Sequence, residues 1–132
     1  MKRIVIPLLA VLIAVSAAQA AKQLPPLQVL SITWERTGYA DSEVHECRLV
    51  GVVRNNTQGW YDLIKIGMSV LDAKTKEKVA TQTAYVSNAG PGEKCQFRGE
   101  PPIYLDRCAR GPEGKWIGRI DRITGVPRKT EQ

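Results

Sequence analysis

The sequence is poor in the groups that most often do chemistry. Its 132 residues include one histidine, His45, and three cysteines, none of them in a CxxC pair. There is no Gly-x-Ser-x-Gly elbow to mark a nucleophile, no glycine-rich phosphate loop and no long amphipathic helix pattern. General acid–base catalysis needs a group poised near neutral pH, and only His45 qualifies. It reads as a strand residue beside a loop, with a base or pH sensor as the alternative. A zinc site wants several closely spaced Cys or His ligands; here only His45 and Cys47 share a strand face. These absences exclude a recognisable catalytic frame. We expect no enzyme, no metal and no cofactor.

Long apolar runs are also missing, with one exception. Ile4 to Val15 is apolar apart from Pro7, follows Lys2 and Arg3, and precedes the small-residue segment Ser16-Ala17-Ala18-Gln19-Ala20. This is the three-part pattern of a cleavable export signal, with Ala18-x-Ala20 at the cut. The run is shorter than the ~20 residues a spanning helix needs, and a retained anchor is the alternative. No cysteine stands near the cut to accept a lipid. The expectation is residues 1–20 as signal peptide and a secreted or periplasmic mature chain with no further membrane span.

What is present is alternation. Beyond a Pro25-Pro26 lead-in over 21–26, apolar residues recur every second position. Leu30, Ile32 and Trp34 fall on one face of a first strand, and Cys47, Leu49, Gly51 and Val53 on one face of a second. Val50 and Val52 make that second strand apolar on both faces, as a central strand would be. Ile64, Ile66, Met68 and Val70 alternate with Lys65, Gly67 and Ser69. Further strands are expected over 78–86, 94–98 and 115–124, with a short one around Ile103 to Leu105 or none. Asn55 to Gly59, Asp72 to Lys76 and Asn88 to Gly92 supply the turns between them. The reading is all-β: a small antiparallel sandwich of six to seven strands over 27–125, with a frayed polar tail over 126–132.

Part of the chain resembles a known family. Gly51-Val52-Val53-Arg54-Asn55, then Met68-Ser69-Val70-Leu71-Asp72, then Pro91-Gly92-Glu93 with Phe97, are similar to the strand ends, namesake strand and strand entry of FxLYD-type domains, over about 27–98. Only Asp72 is kept from the namesake motif. The resemblance implies an immunoglobulin-like β-sandwich of the kind found in exported bacterial and archaeal proteins. It brings no catalytic residues.

Export places Cys47, Cys95 and Cys108 in an oxidising compartment, where one disulfide and one leftover thiol are expected. On the sandwich reading the chain turns back after Cys95, so Cys47–Cys108 is the favoured bridge and Cys95–Cys108 the second choice. Trp60 and Tyr61, just past a turn, are candidate partner contacts, or sugar-stacking rings with Tyr39 or Tyr104; the alternative is a ring plugging the end of the sandwich. Residues 21–106 carry ten basic and ten acidic side chains, whereas 107–132 carry seven and three. That basic end includes Arg107, Arg110, Arg119 and Arg122 and could meet an anionic polymer. Nucleic acid is not expected of an exported chain with no aromatic–basic platform. The function expected is an exported, non-enzymatic module binding another envelope protein, or else a glycan or anionic envelope polymer.

Overall fold

A computed structural model describes residues 24–39, 44–106 and 115–129, and among these there is no helix. Seven strands run in order: β1 Leu27–Tyr39, β2 Val44–Asn55, β3 Tyr61–Asp72, β4 Lys78–Ala89, β5 Lys94–Arg98, β6 Ile103–Asp106 and β7 Trp116–Pro127. They form two antiparallel sheets. In the first, β2 lies between β1 on one side and, end to end, β5 and β6 on the other; in the second, β3 lies between β4 and β7. The chain is an all-β sandwich, and the short strand at Ile103 exists.

The two central strands carry most of the core. Cys47, Leu49 and Val53 from β2 meet Ile64, Ile66, Met68 and Val70 from β3, with Ala84, Val86 and Phe97 beside them, all shielded from water. Removing such side chains from water contributes about 1.5–3 kcal/mol each, the main favourable contribution in a domain this small.

Alternation breaks in β1 and in β7 where a bulge adds a residue. In β1 the pairing with β2 slips between Val29 and Ser31. The extra residue turns Leu30 outward and brings Leu27 and Val29 onto the core with Ile32 and Trp34, so the expected inward Leu30 is exposed. In β7 the slip falls at Asp121, between Ile120 and Arg122. Ile120 and Ile123, three apart, therefore both pack inward. Asp121 accepts a hydrogen bond from the Ser69 hydroxyl, and Ser69 is fully buried although it faces away from the core.

The sandwich closes differently along its two sides. On one, the Trp34 indole N–H donates to the Trp116 carbonyl, tying edge strand β1 to edge strand β7 at 3.2 Å. Gly118 and Gly125 keep β7 close there: a Cβ at Gly118 would overlap the Leu49 side chain, and one at Gly125 would lie 2.6 Å from the Tyr61 ring. On the other side, the edge strand beside β2 breaks at Gly99 to Pro102. The break reaches across to the second sheet, where Glu100 and Thr83 exchange two backbone hydrogen bonds. The excursion takes the usual partner away from the Leu49 N–H. Gln82, a buried side chain of β4, replaces it: its Oε1 accepts from Leu49 N at 2.8 Å and its Nε2 donates to the Pro101 carbonyl at 2.6 Å. One amide thus pins both sheets to the crossing segment.

The end of the domain lies further along than 125. Strand β7 runs to Pro127, and Arg128 is held in place rather than frayed. Its N–H donates to the Trp60 carbonyl, and its guanidinium reaches Asp62 and Asn88 at 2.6 Å each.

Candidate functional site

A concavity of about 660 Å³ lies on the outer face of the first sheet. Cross-strand register builds it row by row. Thr33, Val50 and Arg98 form one row, and Ser31, Val52 and Gln96 the next. The two valines make an apolar floor, with hydroxyls on one flank and polar ends of β5 on the other. Tyr85, on the outer side of β4, stands at the rim and is 56% exposed.

One end of this groove is electrically closed. Arg98 pairs with Glu35 at 2.6 Å across the strands. Arg48 donates to the Gly99 carbonyl at 3.1 Å and lies 3.6 Å from Glu100. The other end is open: Arg54 and Lys94 are exposed and stand directly opposite one another on β2 and β5. Beyond Arg54 lies a second, smaller polar hollow of about 370 Å³ bounded by Gln28, Asn56 and Gln58.

The residues singled out from sequence fare unequally. Tyr61 packs against the core beside Gly125 and Leu27 and plugs the end of the sandwich. Trp60 is 45% exposed, but Arg128 lies over its ring, 4.9 Å from the centroid, and Gly90 packs against it. It clamps the chain end more than it offers a surface. Arg119 is engaged by Asp121 at 2.7 Å, while Arg122 is exposed on the outer face of the second sheet, near Lys65 of β3. Arg107, Arg110 and Cys108 lie outside the described residues. Asn55, though it begins a glycosylation-like Asn55-Asn56-Thr57, is 1% exposed. Its Nδ2 donates to the carbonyls of Gly59, Ala89 and Gly90, so it is a structural pin.

The groove itself was missed from sequence. Its one signal was the apolar character of Val50 and Val52 on the outward face of β2, which a central strand explained equally well. Phe97 and Gln96 come to it from β5, which the crossover between sheets sets beside β2, and Tyr85 from β4, an edge strand of the second sheet.

The titration pattern is structural. Hydrogen bonds from the N–H groups of Thr75 and Lys74 hold the Asp72 carboxyl below its ordinary range, and the Ser69 hydroxyl does the same for Asp121. Burial and the nearby Glu93 push the Cys95 thiol up. None of these groups lines the groove, and no cluster of three His, Cys, Asp or Glu side chains occurs among the described residues. The groove can hold and orient a ligand by shape, apolar contact and charge. No family model, curated protein or solved structure matches the chain.

Proposed function

We propose that this protein is an exported, non-enzymatic binding module that takes a segment of another envelope protein on the outer face of its first sheet. The observation that carries this reading is the open groove floored by Val50 and Val52: two half-buried valines on a solvent-facing sheet surface, with Tyr85 at the rim. An apolar floor suits aliphatic side chains. An extended segment lying along β2 would set every second side chain onto it. A sugar chain would be better served by several flat aromatic platforms, and only Tyr85 and the inward-lying Phe97 approach this one. The test is a photo-crosslinking residue placed at Gln96, compared with one at Lys74 on the far turn, in the native compartment. One dominant partner captured from Gln96 alone is expected. Equal capture at both positions, or none at Gln96, would refute the reading.

The second reading, an anionic polymer bound through the basic C-terminal part, is favoured by the exposed Arg122 near Lys65 on the other outer face. Such binding would weaken steeply with salt. The FxLYD-type kinship belongs to the same proposal. It is supported by the work its motif residues do: Asn55 pins three carbonyls, Asp72 caps the β3–β4 turn through the N–H groups of Lys74 and Thr75, and Phe97 covers Gly51. So does the Cys47–Cys108 bridge. Cys95 sits opposite Val53, six residues from Cys47 along β2, a separation of about 20 Å. A disulfide needs Cα atoms within about 7 Å. β6 instead returns the chain to the Cys47 end, with Ile103 opposite Cys47 and Asp106 opposite Val44. Non-reducing peptide mapping would sink this pairing by finding any bond to Cys95.

A further inference from the structure

The row just beyond the open end of the groove, where Arg54 borders the smaller hollow, is electrically unbalanced and says what kind of segment fits. Arg54 and Lys94 are in-register partners on β2 and β5, so their side chains leave the same face side by side. Like charges directly opposite on a sheet repel, whereas an opposite charge beside them would be stabilising. Among the described residues neither cation has an ion-pair partner. The nearest carboxylate in sequence, Glu93, is used elsewhere: its Oε1 accepts from the Gly90 N–H at 2.8 Å. Gln28, opposite Arg54 on the other side, has its oxygen engaged by Asn56. At the far end of the groove, by contrast, Glu35 and Glu100 neutralise Arg98 and Arg48.

The spacing of the rows turns this imbalance into a pattern. Arg54, Val52 and Val50 are successive outward residues of β2, spaced about 6.6 Å apart, which is also the spacing of alternate side chains on any extended chain. A segment lying along β2 therefore sets positions one, three and five over the three rows. Resting on the binding function proposed above, we infer that the segment bound here reads acid–x–aliphatic–x–aliphatic: its carboxylate sits between Arg54 and Lys94, and its two aliphatic side chains rest on Val52 and Val50. The ordering also gives the ligand a direction, since only one end of the groove lacks its own anion.

The test uses the full mature chain and two synthetic peptides, acetylated and amidated, with valine at positions three and five and serine at two and four. One carries glutamate at position one and the other glutamine. Binding is followed by heteronuclear NMR at low salt, reading the amides of Val50, Val52 and Gln96. The glutamate peptide is expected to move these signals and to bind about three- to tenfold more tightly than its analogue, the scale of two exposed ion contacts. The preference should vanish in the Arg54→Gln/Lys94→Gln variant, which removes a repulsion from an exposed surface and should keep its Tm; Val52→Gln should weaken both peptides alike. Equal affinities in the wild-type chain, or no shifts at these amides, would overturn the inference. A partner captured from Gln96 alongside equal peptide affinities would overturn the acidic pattern and leave the binding function standing.

Discussion

Replacing Gln82 by methionine tests the central construction of the fold. Methionine has nearly the same length and volume, so packing changes little, but both polar ends of the side chain are lost. The Leu49 N–H, deep between the sheets, then has no acceptor, because the edge strand has already left β2 at Gly99. A buried donor left unpaired costs about 1–3 kcal/mol. The Pro101 carbonyl also loses its donor, but that residue is exposed and water can replace part of the bond. The sum is about 2–4 kcal/mol, a large fraction of the 5–15 kcal/mol available to a domain. For roughly 100 residues, each kcal/mol shifts Tm by about 4–8 °C, so Gln82→Met should melt at least about 8 °C lower. Urea unfolding followed by tryptophan fluorescence should show a lower midpoint at unchanged slope, and hydrogen exchange at Leu49 should accelerate more than at Ile66. Thr81→Val, one residue away on the exposed face, should change stability by less than about 0.5 kcal/mol. If Gln82→Met matched that control, the claim that one amide replaces the missing strand partner would be wrong.

Asn55→Asp should cost about 2–5 kcal/mol despite its near-identical shape, since the carboxylate cannot donate to Gly59, Ala89 and Gly90 and faces three carbonyl oxygens; thermal melts at pH 7 would show it. Asp121 has a folded-state pKa below its ordinary 3.8, so its contribution is complete above that value and is lost as pH falls below it. Ser69→Ala should therefore lower stability at neutral pH and flatten the acid limb below about pH 4, whereas an unchanged limb would rule out the hydroxyl as the cause. Gly118→Val should destabilise the domain strongly, since its side chain must enter space held by Leu49 and Ile32, and a soluble variant with wild-type Tm would contradict the close approach of β7. Cys95, half-buried with a raised pKa, should react with thiol reagents at pH 8 far more slowly than an exposed cysteine and lose that protection in denaturant.

Alternation, turn residues and composition were enough to read six to seven strands, the all-β class and the inward faces of β2 and β3, because a side-chain period of two is a local property of the backbone. The role of Asn55 as a turn former was legible too, but not the three carbonyls it collects, which come from two other turns. The bulge at Leu30 reversed the reading of that residue, and the one at Asp121 sets Ile120 and Ile123 on the same face; only a paired neighbour reveals such an extra residue. Gln82 looked like any polar strand residue; its partner, Leu49, lies on the opposite sheet, 33 positions away. The groove was invisible for the same reason, since Val50, Gln96 and Tyr85 belong to three strands whose adjacency is decided by how the chain crosses between layers. Periodicity along the chain records which side of a strand meets the core. Which strands then stand side by side, and what their outward faces jointly present, depends on contacts between residues far apart in sequence, and those are settled only when both sheets close on one another.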